Sequence, residues 1–459
     1  MGFPVRAVEL FCGAGGMSRG LIDAGFDVAR AFDAWDVAVD TYRHNIGDHV
    51  EEVDLGNLMA VVPKIMALAP DIIVGGPPCQ DYSTAGKHKE GENASLTIAY
   101  AIIVATVKPE WFLMENVLPA LTSKAWKEAK SILTYAGYGI SETKIDCSLY
   151  GAPQRRKRLM VIGRIGERPG FVASALHNAR TEHPTTVRDL LRSARHWGTD
   201  FLLGPKPKWD DFQFTINGFA YSRPYTGGRG VRSIDEPMPT VTRTSLERPA
   251  KKYRSNPHPD DPVPADQAWK PTIRQIQQIQ GFPQRWEWPF GNNRDIMQMI
   301  ANGVPAPTAR IIGQIILARH RGESAPEIEG AFRGWLRHSN RKERTISNVM
   351  SSLARARRML RGRTYADPRA EVEALEATEG FDDLKKGTKS DLRQALRQYS
   401  NYLDAKASNR AHTQSITVDA PDPIPTIDLV AMMRGITSET DKYHSEIGPV
   451  PDDASRTGT

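Results

Sequence analysis

Over its first 165 residues the chain alternates short apolar runs with stretches of helical periodicity, and that alternation admits few architectures. The runs at 6–11, 28–32, 71–74, 110–114 and 158–163 read as buried strands. Between them, apolar residues recur at helical spacing in 17–24, 37–43 and 99–107. A strand–helix repeat buries its strands on both faces, so it predicts an α/β fold with a doubly wound, mostly parallel sheet. The rhythm stops near residue 166, where Pro, Gly and Arg become frequent, as in 205–208 and 223–232. An irregular, smaller lobe is expected there. Helical spacing returns at 273–280 and 307–319, and again at 346–360 and 392–403. The expected organisation is a first domain over 1–169, a second lobe over 170–268 and a return segment over 269–324 that completes the first domain. A helical extension over 325–407 follows, then a partly disordered Pro-, Asp- and Thr-rich tail over 408–459.

Composition removes several classes. Of 459 residues, 40% are hydrophobic and 25% charged, an ordinary globular balance that excludes a wholly disordered or fibrous chain. The longest nearly uncharged apolar run, 96–107, is well short of the roughly 20 residues of a membrane helix. Met1 leads almost directly into the first strand, so no signal peptide is expected, and Arg6 stands where myristoylation needs Ser or Thr. Three cysteines, Cys12, Cys79 and Cys147, build neither a disulfide framework nor a four-cysteine zinc site, and no HExxH or paired CxxC occurs. A reducing cytoplasm and no metal are expected. Charge is uneven: residues 161–325 carry 23 Lys and Arg against 15 Asp and Glu, and 326–363 carry 10 against 3. Residues 1–160 carry 16 against 19. Chemistry in one lobe and polyanion contact in another would produce this division, as would a merely solvated basic surface.

The chemistry-bearing residues cluster where strands end. The first strand runs into Phe11-Cys12-Gly13-Ala14-Gly15-Gly16 and then a helix. A glycine-rich turn there lets backbone amides approach a ligand, and the helix N-terminus favours negative charge. The spacing is not GxGxxG, which argues against an NAD-binding oxidoreductase. Asp33 ends the second strand and Asp54 follows the next element, two carboxylates suited to ribose hydroxyls and an adenine amino group. Turn plus acids favour a nucleoside-containing cofactor over a plain tight turn. Gly75-Gly76-Pro77-Pro78-Cys79-Gln80 holds a thiol beyond another strand, and Glu115 ends the strand after that. Cysteine plus carboxylate on neighbouring strand ends suggests a nucleophile and a general acid. In Gln154-Arg155-Arg156-Lys157-Arg158 the solvated reading suits Arg155 and Lys157 better than Arg156 and Arg158.

Six of these runs, in this order, resemble the DNA (cytosine-5) methyltransferase family: Phe11–Gly16, Pro78-Cys79-Gln80, Glu115-Asn116-Val117, Gln154-x-Arg156-x-Arg158, Gln280-Gly281-Phe282-Pro283 and Asn302-Gly303-Val304-Pro305. The resemblance covers residues 5–320 or so. It implies a Rossmann-like methyltransferase fold and S-adenosylmethionine as cofactor. Phe11, Gly13, Ala14, Gly15 and Gly16 would frame the cofactor, Asp33 would hold its ribose and Asp54, with Leu55, its adenine. Pro78, Val304 and Asn302 would complete the pocket, Asn302 near the methionine end. Three departures stand out: Asp33 replaces the usual Glu, Ala34 stands where an aromatic often follows with Trp35 one place on, and Ala301 replaces a Gly.

The same resemblance implies a covalent route. Cys79 would add to C6 of a flipped-out cytosine, Glu115 would act at N3, Arg158 would hold O2, and Arg156 would support that orientation or the thiolate. The lobe at 170–268 would be the target-recognition domain for double-stranded DNA. Arg223, Arg229, Arg232, Arg243, Arg248, Lys251 and Lys252 are its candidate DNA contacts, with Thr242 matching a family threonine near the target, and Gln80 and Ser83 beside the nucleophile. A monomer is expected, in a prokaryotic or phage-infected cell, with a cognate restriction endonuclease as partner. The rival readings are a tRNA cytosine-5 methyltransferase, which shares these motifs, and a non-catalytic DNA-binding protein, which the intact Cys79, Glu115 and Arg158 oppose. Residues 325–459 lie outside the resemblance; 333–363 reads equally as a DNA-binding helical extension or as an amphipathic bundle with a cationic face.

Overall fold

The computed structural model describes residues 4–78, 92–196, 218–220, 228–247, 250–323, 328–339 and 341–415. In chain order its first strands are β1 (Arg6–Leu10), β2 (Asp27–Asp33), β3 (Val50–Glu52), β4 (Ile72–Gly75), β5 (Trp111–Asn116), β6 (Tyr138–Asp146), β7 (Gln154–Arg155) and β8 (Lys157–Ile165). The helices among them are α1 (Gly16–Ala24), α2 (Asp36–Asn45), α3 (Leu58–Leu68), α4 (Glu92–Val107) and α5 (Lys124–Tyr135). Seven strands form one sheet in the order β3-β2-β1-β4-β5-β8-β6. β1 to β5 pair in parallel, and β8 runs antiparallel between β5 and β6. The order reverses between β1 and β4, and such a reversal leaves a crevice beyond the strands' carboxyl ends.

Side chains alternate across the strands, as the period of two requires. Val8, Leu10, Ile73, Phe112 and Met114 pack with α3, α4 and α5. Ala7, Ile72, Val74, Trp111 and Leu113 face the opposite layer, built from α1 and the helix Ala306–His320. That helix comes from the return segment, so the first domain closes only with residues almost 300 positions later in the chain.

The predicted strands and helices are present, with shifted ends. β1 stops at Leu10 because Phe11 turns to φ 57°. β5 runs on through Glu115 and Asn116, which sets Glu115 inside the sheet. Four elements lacked a clear period in the sequence: β3 has three residues, β6 mixes polar residues into its length, α3 is apolar on nearly every side, and α5 is interrupted by lysines. Among the described residues no helix is long and apolar enough to cross a membrane.

The second lobe is irregular, with short helices Ala173–Asn178, Val187–His196 and Lys251–Ser255 and the antiparallel pair Gly218–Ala220 and Val231–Ser233. Its Met238–Pro239 strand pairs with β7. The helices Gly330–His338, Glu343–Met359, Pro368–Glu376 and Lys386–Ser415 enclose a separate core around Phe332, Leu353, Phe381 and Tyr399. The last helix passes residue 407, where the tail was expected to begin, and residues 416–459 lie outside the described residues. This extension is anchored at the end of β8. Ala366 N–H donates to the Gly166 carbonyl at 2.9 Å, and Arg363 donates to the Ile165 carbonyl at 3.2 Å. Fully buried Glu167 meets Arg164 and Arg319, each at 3.2 Å, and the Thr364 N–H at 3.0 Å.

Candidate active site

A cavity of about 460 Å³ opens at the carboxyl ends of β1, β2, β4 and β5. Phe11 and Gly13 form its first wall. Phe11 holds a left-handed backbone that non-glycine residues rarely adopt, so the turn stores strain where a ligand would sit. Gly13 also has positive φ, and a Cβ there would meet nothing within 4 Å. Ala14, Gly15 and Gly16 do not line the cavity; they shape the turn. A side chain at Gly15 would overlap Ile46 and Tyr42, and a Cβ at Gly16 would sit 2.6 Å from the Val304 carbonyl oxygen.

Asp33 ends β2 facing that turn. Its Oδ2 accepts the Gly13 N–H at 2.7 Å and its Oδ1 the Trp35 N–H at 2.9 Å. Burial pushes its carboxyl above the ordinary value, against these backbone bonds. Ala34 and Trp35 both line the cavity, so an aromatic ring is present although displaced by one position. Exposed Asp54 lines it too, with Oδ1 accepting the Gly56 N–H at 2.8 Å, beside buried Leu55. Pro78, Asn302 and Val304 complete this side. Sequence reasoning missed Gly76, Leu96 and Met299, which line the same space without carrying any distinctive chemistry.

Glu115 and Arg158 meet in the same cavity, with Nε 2.8 Å from Oε1 and side chains 10% and 13% exposed respectively. The pairing follows from register: Asn116 lies opposite Leu159, so Arg158 stands one row beyond the strand that carries Glu115. Gly76 leaves room for the second carboxylate oxygen, since a Cβ there would touch Glu115 Oε2 at 3.4 Å. Arg156 is 2% exposed and also lines the cavity, while its carbonyl accepts the Cys147 N–H at 2.9 Å. Cys79, Gln80 and Ser83 lie outside the described residues, although Pro78 next to Cys79 is on the wall. The other two thiols are poor nucleophiles. Burial pushes Cys12 well up and Cys147 up to about 11, the latter despite the nearby Arg156 and Arg158.

Among the described residues, none of the DNA contacts expected in the second lobe lines the cavity. Arg232 is half-buried on its strand, Arg243 is exposed, and the Thr242 hydroxyl lies 3.2 Å from that of Thr244. Lys251 and Lys252 are exposed. Arg229 has a partner within the lobe. It is paired with both oxygens of Glu236, at 2.7 and 2.8 Å, so its guanidinium is held by the lobe itself. Arg223 and Arg248 lie outside the described residues.

Two buried glutamines tie this lobe to the cavity. The Val241 N–H donates to Gln154 Oε1 at 2.8 Å, Gln154 Nε2 donates to Gln280 Oε1 at 2.7 Å, and Gln280 Nε2 donates to the Gly303 carbonyl. Both glutamines stood in motif-like runs, but 126 residues separate them and no spacing signalled that they touch.

The sequence profile described as C-5 cytosine-specific DNA methylase matches residues 5–318. The chain belongs to that family. The methylase is 35% identical over 306 residues to the Type II methyltransferase M.HgiDI of Herpetosiphon aurantiacus, covering 66% of this chain and 92% of that one. It is 34% identical over 318 residues to the Type II methyltransferase M.HindV of Haemophilus influenzae, covering 68% and 96% respectively. Among solved structures, the S. pombe Dnmt2 methyltransferase aligns at 18% identity over 68% of the methylase and 97% of its own chain, with a TM-score of 0.49. The family match ends at residue 318, so the helical extension lies beyond it.

Proposed function

We propose that the methylase transfers a methyl group from S-adenosylmethionine to C5 of a cytosine flipped out of a specific duplex DNA sequence, through an adduct between the Cys79 sulfur and C6. The observation that carries this reading is the Glu115–Arg158 pair, which sets a nearly buried carboxyl group and guanidinium side by side on the cavity wall. With its carboxyl protonated, the pair would offer one donor to N3 and another to O2 of cytosine.

The residues present fit the cofactor. Each Asp33 oxygen accepts one backbone N–H and keeps a lone-pair direction for a ribose hydroxyl. Asp54 and Leu55 would take the adenine, Phe11, Gly13, Pro78 and Val304 would shape the wall, and Asn302 would face the methionine end. Gly13 puts no side chain into that space, and Gly15 and Gly16 let the turn pack closely against Tyr42 and Val304. When bound, S-adenosylmethionine supplies an electrophilic methyl group.

Cytosine C5 is too weak a nucleophile to react unaided. The Cys79 thiolate adds to C6 while Glu115 places a proton or hydrogen bond at N3, and the electron pair of the C5–C6 double bond becomes available at C5. Arg158 holds O2, and Arg156 supports that arrangement. Once C5 carries the methyl group, its proton is lost to water, the C5–C6 double bond re-forms, the Cys79 thiolate leaves and any proton taken up at N3 returns to Glu115. Relatives named as Type II methyltransferases support a modification enzyme; a cognate restriction endonuclease, a monomeric state and a cytoplasmic location belong to the same proposal.

A target duplex carrying 5-fluorocytosine tests the chemistry, because fluorine cannot leave C5 as a proton. We expect a protein–DNA complex stable to boiling in detergent, formed only with S-adenosylmethionine and absent in Cys79→Ser. A complex that persists in Cys79→Ser, or maps to Cys12 or Cys147, would refute the assignment.

A further inference from the structure

The helix Glu343–Met359 carries a feature that the methylase reaction does not use. Arg344, Asn348, Ser351, Arg355 and Arg358 follow one another at intervals of four, three, four and three residues, and all five are exposed. At 100° per residue they fall within a strip about 80° wide and roughly 21 Å long. Opposite them, Ile346, Leu353 and Ala356 are buried in the extension's core. The strip contains no acid. Among the described residues no carboxylate lies within ion-pair distance of Arg344, Arg355 or Arg358, although Arg337 and Arg333 on the preceding helix are matched by Glu343, and Arg357 by Glu371. An ordinary solvated helix face would mix signs at these spacings. This face shows only guanidiniums, an amide and a hydroxyl, the groups that contact phosphate and sugar.

Its position sets what it can touch. β8 runs against β5, so Arg158 stands at the cavity end of the sheet while Ile165 lies near Trp111, at the other end. The extension is bonded to Ile165, Gly166 and Glu167. Seven residues of strand put roughly 23 Å between that anchor and the Arg158 position. A short duplex whose target base enters the cavity therefore lies toward the opposite end of the domain from the anchor.

We propose that the Arg344–Arg355–Arg358 face is a second, sequence-independent duplex-DNA contact, which engages a stretch of DNA other than the one carrying the target cytosine. The proposal rests on the DNA substrate of the proposed function and adds a site to it. It accounts for the excess of base over acid in residues 326–363, which the catalytic chemistry does not need. Duplex DNA has a persistence length of about 150 base pairs, so a separate stretch of the same molecule can fold back to this face only when the molecule is longer than that.

The experiment compares the full-length protein with R344A/R355A/R358A on two duplexes carrying the mapped target: one of 16 base pairs, one of 500. We expect equal methylation rates on the short duplex, which establishes that the target site works in both proteins. On the long duplex, the triple variant should bind at least tenfold more weakly at 100 mM salt. Its plot of log K against log salt should be shallower by about 2–3, from three lost phosphate contacts at about 0.9 each. Equal affinity and equal slope on the long duplex would overturn the proposal and leave the face to a protein partner. An equal loss on both duplexes would overturn it too, by placing these arginines on the target duplex. Failure of both proteins to methylate either duplex would instead sink the proposed function.

Discussion

Gln154 and Gln280 form a buried amide pair, Nε2 to Oε1 at 2.7 Å, in which each side chain spends its remaining end on a backbone group of a different lobe. One end reaches Val241, next to Thr242 in the second lobe. The other reaches Gly303, between Asn302 and Val304 on the cavity wall. An amide donates at one atom and accepts at another, which a leucine of similar size cannot do. Gln280→Leu strands Gln154 Nε2 and the Gly303 carbonyl, and buried unsatisfied groups cost about 1–3 kcal/mol each. Urea unfolding should show that loss. The same variant should bind S-adenosylmethionine more weakly in calorimetry, because Gly303 loses its anchor. Unchanged stability would mean that water replaces the amide.

Asp33 should matter to the cofactor more than to DNA. Asp33→Asn keeps the size but loses the charge and turns one oxygen into a donor facing a backbone N–H, either that of Gly13 or that of Trp35. We expect S-adenosylmethionine affinity to fall by about 1–3 kcal/mol, with DNA affinity nearly unchanged. Calorimetry with an unaltered cofactor Kd would remove Asp33 from the site.

Thr364 tests the joint between the family domain and the extension. Its backbone N–H and hydroxyl both donate to Glu167, which is fully buried and shared with two arginines. Thr364→Val removes one bond to a charged group, worth about 1.5–3 kcal/mol, and thermal unfolding should report it. Ending the chain at residue 323 removes both donors, so that fragment should be less stable than the full protein. Equal melting temperatures would show the extension to be an independent appendage.

Glu9 predicts a pH dependence of stability. It sits inside β1, 1% exposed, and accepts the Ser18 hydroxyl. Burial pushes its carboxyl from the ordinary 4.5 up to about 8, with the Ser18 bond acting the other way. Between those values the folded chain keeps a proton that the unfolded chain releases. Stability should therefore fall as pH rises from about 4.5 to about 8, by up to roughly 1.4 kcal/mol per pH unit. Glu9→Gln should flatten that slope and raise stability at pH 7.5. Urea titrations of both proteins at pH 5 and 7.5 measure it, and matching slopes would mean that Glu9 is ionised in the fold.

The legible parts of the methylase are those whose chemistry is local. β1, its glycine turn and α1 are one continuous stretch, and the apolar run ending in glycines marks all three. Glu115 and Arg158 each stood out as a charge at a strand end, but only the strand order β4-β5-β8 makes them neighbours, and order is set by tertiary packing. Arg229 stood in the sequence as a DNA-contact candidate, and its pairing with Glu236 was hidden there because an irregular loop, with no period of its own, folds the two together. The Gln154–Gln280 bridge was hidden for the same reason, at far greater separation.

The dependence of α1 on the helix Ala306–His320 has a consequence during synthesis. All strands of the main sheet are complete by residue 165, yet Gly16 closes against the Val304 carbonyl and the far layer waits for residues up to about 320. At about 5–20 residues per second, a ribosome needs roughly 10–30 s to supply them. During that interval the nascent chain carries an apolar sheet face covered on one part only, by α1, and a cavity without one wall. Chaperone demand should peak in this window, and the emerging enzyme should be unable to hold its methyl donor until the return segment has left the exit tunnel.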